Sequence, residues 1–131
     1  MTRPTVTQGF VLIAATAGFI AVALGAFGAH GLKNILSTDL LNTWQTAVDY
    51  QFVHALAIMA CAWMSETHDS VSVRVSAYSF TVGIVVFSGS LYVLSLSGIG
   101  WLGAITPIGG VAFLIGWAAL AHAACRWEKS G

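Results

Sequence analysis

From Val75 to Cys125 the chain carries no Asp, Glu, Lys or Arg. Soluble domains are about 25% charged, so a charge-free stretch of this length has no face suited to water. It is also too long for one helix across a hydrocarbon core of ~30 Å, which takes about 20 residues. The segment SGIGWLGAITPIGG, Ser97 to Gly110, breaks it with glycines and a proline. The stretch therefore reads as two spans, at about 76–97 and 106–125. Thr106-Pro107 suits the start of the second. Threonine caps helices, and proline fits a first turn, where its missing N–H costs nothing.

Two more spans precede these. No charged side chain occurs from Pro4 to Leu32, which places a first span at about 8–30. The apolar run Tyr50 to Ser65, bounded by Asp49 and Glu66, is short. It reaches spanning length, at about 44–65, if its helix begins near Leu41 or Trp44. Of the 131 residues 57% are hydrophobic and 8% charged, so lipid is the solvent for most of the chain. Backbone polar groups in lipid are satisfied only by helices or closed barrels, and these continuous runs lack the alternation of barrel strands. The expected fold is all-α: one membrane domain over residues 1–131, a bundle of four transmembrane helices with an amphipathic segment between helices 1 and 2.

An even number of spans puts both termini on one side. Arg3, Arg74, Arg126 and Lys129 share that side, and Lys33 alone lies opposite. The positive-inside rule then places the termini in the cytoplasm. A cleaved secretory signal ending near Ala26-Phe27-Gly28 is the rival reading of the first span, but its apolar region is long for that role.

The segment TDLLNTWQTAVDY, Thr38 to Tyr50, carries Leu40, Leu41, Trp44 and Val48 at helical spacing. Ser37 or Thr38 can cap it, and Asp39 suits its first turn. Two readings stay open. The segment lies on the outer membrane surface, or it extends span two outward with Trp44 as an interfacial anchor. They differ in whether the chain bends near Asp49.

Charge excludes a nucleic-acid footprint, since five basic residues balance five acidic ones. No nucleotide fingerprint occurs, and no two histidines sit at metal-ligand spacing. Cys61 and Cys125 read as reduced, buried small hydrophobes. No cofactor or metal is called for. His54 falls near the bilayer centre, a depth at which an ionisable group is a functional candidate by default. Its plainer reading is a neutral ring bonded to a serine or carbonyl of a neighbouring helix. Tyr50, Gln51, His54 and Cys61 share one face of their helix at 100° per residue.

Span three places Thr81, Ser88, Tyr92 and Ser95 on one face, with Ser79, Gly83, Ser90 and Ser97 nearly opposite. Span one repeats small residues at Ala17, Ala21, Gly25 and Ala29. Such stripes pack helices closely. Ala21 with Gly25, or Gly83 with Ser90, are the expected contacts for self-association or for docking on a larger membrane complex. Gly28 and Gly31 are expected to admit the start of span four, with His30 facing Asp49, Gln51 and Thr106. His30, Asp49, Tyr50, Gln51, His54, Ser88, Tyr92 and Thr106 form the candidate polar cluster or ligand site.

The motifs GAFGAHGL, WQTAVDYQFVHALA, FSGSLYVLSLSG and TPIGGVAFLIGW, in that order, resemble those of the YgdD/YwdK-type family of small bacterial membrane proteins. The resemblance covers nearly the whole chain. It rests on Gly25, Gly28, His30, Gly31, Tyr50, Gln51, His54, Ser88, Gly89, Tyr92, Thr106, Pro107, Gly109, Gly110, Gly116 and Trp117. It implies a four-helix protein of the bacterial inner membrane and no particular activity. The expected function is non-catalytic: binding membrane lipids, self-associating, or serving as an accessory subunit. The alternative is a small-solute transporter or channel using His54 and the span-three hydroxyls. An intramembrane enzyme or quinone site around Tyr50, His54 and Tyr92 has no motif at diagnostic spacing to support it.

Overall fold

The computed structural model describes residues 5–127, all but the turns and caps of which are helical. Arg3 and Lys129, two of the four basic residues behind the orientation argument, lie outside the described residues. Among the described residues, four helices are long and apolar enough to cross a membrane. They are α1 (Val6–His30), α2 (Thr38–Thr67), α3 (Val71–Ser97) and α4 (Thr106–Cys125).

Local chemistry sets the helix ends. Thr5 and Gln8 form a capping box: the Thr5 hydroxyl accepts from the Gln8 N–H at 3.2 Å, and the Thr5 N–H donates to Gln8 Oε1 at 2.9 Å. Ser37 caps α2 by accepting from the Leu40 N–H, and Ser70 caps α3 by accepting from the Val73 N–H. Gly98 ends α3 in the left-handed conformation, φ 71°, where a glycine avoids the Cβ clash. Pro107 stands in the first turn of α4. Thr106 does not cap that helix. Its hydroxyl is spent instead on Ser90 Oγ at 2.7 Å and on the Leu102 carbonyl at 3.4 Å.

The segment before Asp49 is the N-terminal part of α2. The helix runs unbroken for 30 residues, about 45 Å at 1.5 Å per residue, and exceeds the hydrocarbon core by several turns. Trp44 is not an interfacial anchor, however. It is buried, and its indole N–H donates to the Leu24 carbonyl of α1 at 2.9 Å. Trp101 and Trp63, both largely exposed at opposite ends of the bundle, occupy the positions expected of membrane-interface aromatics.

Helix α2 is the most deeply buried. Helix α1 packs along it through Ala14, Ala21 and Gly25, with Val48 Cγ1 seated at Gly25. Helices α3 and α4 pack through alternating glycine and phenylalanine. Phe113 covers Gly83, Phe80 covers Gly116, and Gly109 lies against the Phe87 backbone. A Cβ on Gly109 would stand 2.3 Å from the Phe87 nitrogen. At this crossing α3 widens into a π-helical turn, Ile84–Ser88. Of the residues expected to mediate self-association, Ala21, Gly83 and Ser90 are buried within one molecule, while Gly25 is partly buried and lines a groove with Ala21. Small residues let the nearest backbone approach, and the nearest backbone here belongs to the same chain.

Two expectations fail on helical phase. Gly28 faces Trp44, not the start of α4. His30, two residues on and thus about 200° around the helix, turns away from α2. It is exposed and makes no hydrogen bond among the described residues. Cys125 is exposed rather than buried, while Cys61 is buried and donates to Ser76 Oγ at 3.4 Å.

Candidate functional site

His54 lies in the middle of α2, 5% exposed. Its Nδ1 is 2.7 Å from the Tyr50 carbonyl, one turn earlier. The Trp117 indole N–H of α4 reaches its Nε2 at 3.1 Å. An indole N–H only donates and a carbonyl only accepts. Nε2 is thus the acceptor, Nδ1 carries the hydrogen, and the ring is neutral with both nitrogens satisfied. Phe113 stacks on it at 3.5 Å between centroids, with 10° between planes. The ring is held as an interhelical bracket between α2 and α4.

Gln51, 4% exposed, does the same work toward the other two helices. Its amide N–H donates to the Ala17 carbonyl of α1 at 2.9 Å, and its Oε1 accepts from the Tyr92 hydroxyl of α3 at 2.8 Å. Tyr92 packs its ring on Trp44 at 4.7 Å. Ser88 is fully buried and donates to the Ala47 carbonyl of α2 at 2.8 Å. Helix backbones thus receive side-chain bonds from their neighbours at several heights. Each such bond spares a polar group from facing hydrocarbon unpaired.

The expected cluster therefore separates into independent brackets. Gln51 and Tyr92 are joined directly, and His54 sits one turn below Gln51 with partners of its own. Thr106 pairs with Ser90 on the α3–α4 side. Asp49 is exposed and accepts from Gln45 Nε2 at 2.7 Å, so the expected pairing with His30 is not formed. Tyr50 is 45% exposed, and its ring stacks on Phe87 at 4.5 Å. Of the span-three hydroxyls named for a solute path, Thr81, Ser88, Ser95 and Ser97 all donate to backbone carbonyls.

Sequence reasoning missed Trp44 and Trp117 as bonding partners. The signal for Trp117 was present: an indole at mid-span, far from either interface, needs an acceptor. Sequence reasoning also missed the groove between α1 and α3. It has a volume of about 360 Å³, and its walls include Leu12, Ile13, Ile20, Ile84 and Val85, with Gln51 at the floor. It opens to the surrounding lipid rather than to water, since the helices forming it are membrane spans.

A family described as "Protein of unknown function (DUF423)" matches residues 24–110. That range holds Trp44, Gln51, His54, Ser88, Tyr92 and Thr106. The chain belongs to the DUF423 family. Relatives extend the DUF423 match toward both ends. UPF0382 membrane protein YwdK of Bacillus subtilis is 43% identical over 90% of this chain and 97% of its own. UPF0382 inner membrane protein YgdD of Escherichia coli is 43% identical over 95% and 96%. A UPF0382 membrane protein of Staphylococcus saprophyticus is 47% identical over 82% and 89%. No solved structure matches this DUF423 chain. It is a four-helix integral membrane protein, with relatives named as membrane proteins in each case.

Proposed function

We propose that the protein is a non-catalytic lipid-binding bundle whose α1–α3 groove takes an acyl chain. The groove carries this reading. Six of its nine lining residues are aliphatic, beside Thr16, Gln51 and Thr81, and it lies at the depth of the hydrocarbon core, where lipid tails are the molecules present. Gln51 at its floor has both amide functions engaged by Ala17 and Tyr92, so the floor offers little to a polar solute. His54, the one ionisable candidate at mid-membrane, is held neutral by Tyr50 and Trp117.

Thr16 is an exposed residue on the groove wall, and Thr16→Trp fills the groove. Protein released from nanodiscs into a mass spectrometer should lose its retained lipid in this variant while its thermal midpoint stays near wild type. Unchanged lipid retention would sink the reading.

We also infer that both termini face the cytoplasm, in a plasma membrane of the bacterial inner-membrane type. The support is the four-to-one distribution of basic residues and the inner-membrane name of the Escherichia coli relative. In a Cys125→Ser background, needed because Cys125 is exposed, a cysteine at Lys33 or Ser97 should react with an impermeant reagent from outside. One at Ser130 should be protected. The reverse pattern would invert the topology.

A further inference from the structure

We propose that the α1–α3 groove takes the methyl-terminal end of a long acyl chain, sideways at mid-bilayer, and selects lipids by chain length rather than by headgroup. The proposal rests on the reading of this groove as an acyl-chain site. It adds which part of a chain enters and which chains can supply it.

The groove is closed at both ends. Leu12, Thr16 and Ile20 of its α1 wall repeat at four-residue steps, and Leu24 is the next step along the same row. The Leu24 carbonyl accepts from the Trp44 indole at 2.9 Å, and Tyr92 of α3 packs its ring on Trp44 at 4.7 Å. Trp44 thereby links α1 to α3 at that end. On the α3 wall, Thr81 and Val85 continue a row that includes Tyr78. The Tyr78 ring meets Phe10 of α1 edge-on at 5.4 Å and closes the other end. Between the two bridges Leu12, Thr16 and Val85 are exposed, so the groove opens sideways.

Its depth follows from the helix rise. Leu12 stands about 9 Å from the start of α1 at Val6, and Ile20 about 15 Å from its end at His30. Thr81 stands about 15 Å from the start of α3 at Val71, and Val85 about 18 Å from its end at Ser97. Half of the hydrocarbon core is about 15 Å. The groove therefore straddles the midplane, where the chains of both leaflets end. Headgroups stay far from it. No charged side chain lines it, and Arg74, the one charged residue of α3, is engaged by Asp69. A chain that stops short of the midplane cannot reach Ile13, Ile20, Ile84 and Val85, and forfeits those dispersion contacts.

The test uses the full chain in dioleoyl-phosphatidylcholine nanodiscs doped equally with didecanoyl- and dipalmitoyl-phosphatidylcholine, and in a second set with dipalmitoyl-phosphatidylglycerol. Lipid retained in native mass spectrometry is the readout, and Thr16→Trp gives the amount held outside the groove. Dipalmitoyl lipid should be enriched over didecanoyl lipid by about fivefold, and equally with either headgroup. Tyr78→Ala removes a half-exposed ring and lengthens the groove toward the headgroups, so it should raise didecanoyl retention. Equal retention of short and long chains, enrichment that follows the headgroup, or unchanged discrimination in Tyr78→Ala would each overturn the proposal while leaving the acyl-chain site standing. Retention no greater in wild type than in Thr16→Trp would overturn both.

Discussion

Trp117 of α4 donates its indole N–H to Nε2 of His54 on α2 across 3.1 Å, in the middle of the membrane. The bond turns an ionisable residue into a fixed acceptor, because its other nitrogen must then hold the hydrogen that goes to the Tyr50 carbonyl. Trp117→Phe leaves Nε2 facing hydrocarbon without a donor. It should destabilise the bundle by about 0.6–1.7 kcal/mol, the range of single interhelical bonds in lipid. Thermal unfolding in a fixed detergent measures the loss, and ¹⁵N spectra of the wild-type ring should show the Nδ1–H tautomer. A charged ring at neutral pH would contradict the assignment.

The α3–α4 seam gives a contrast between two glycines. A Cβ at Gly109 meets the Phe87 backbone at 2.3 Å, whereas a Cβ at Gly116 meets the Phe80 ring at 2.6 Å. A ring can rotate away, but backbone in a helix cannot. Gly109→Ala should therefore cost more than Gly116→Ala, with the former near the upper part of the roughly 1–3 kcal/mol range for overpacking. Paired unfolding curves decide it, and equal losses would contradict the backbone argument.

Gln51 and Tyr92 should behave as a coupled pair. Tyr92→Phe removes one bond to Gln51, and Gln51→Leu removes that bond together with the one to Ala17. A double-mutant cycle should return a coupling of about 0.6 kcal/mol or more. Gln51→Leu should also loosen α1 from α2, read as faster exchange of the Ala17 region. A coupling near zero would mean the two groups are satisfied separately.

His30 should prove dispensable for stability. It is exposed at the last residue of α1 with no bond among the described residues, so His30→Ala should move stability by less than about 0.5 kcal/mol. A loss comparable to that of Trp117→Phe would show that His30 has a buried partner.

Outside the membrane, Asp69 carries a pH-dependent contribution. The hydrogen bond from Arg74 holds its carboxyl below the usual carboxylate range. A depressed pKa contributes stability that is present above the unfolded value and disappears as pH falls through the folded value. The pair is solvent-exposed, so the effect on unfolding should be small. Arg74→Gln should raise the Asp69 titration midpoint toward that of a free aspartate, measured by NMR. No movement would mean the ion pair does not persist in solution.

Much of this protein was legible in its residues alone. The uncharged stretches, the Ser97–Gly110 break, the Ser37 cap and Pro107 in the first turn of α4 all depend on local properties. Hydropathy adds along a segment, and a cap acts within one turn, so neither needs knowledge of a neighbour. The polar roles were different. Nothing in span two says that His54 meets Trp117, that Gln51 reaches both Ala17 and Tyr92, or that Trp44 turns inward. Those outcomes depend on helix rotation and on which side chain fills each gap. The π-helical turn at Ile84–Ser88 departs from the regular 100° step within α3, so wheel-based phases do not carry cleanly across it. His30 shows the same limit from the other side. Its chemistry suggested a partner, but the phase set by Gly28 against Trp44 directs it outward. Sequence alone determined that the chain crosses a membrane four times, because transfer from water to lipid is a sum over residues. Tertiary structure alone decided which polar groups are paired, because a hydrogen bond needs two particular atoms within about 3 Å and directed at each other.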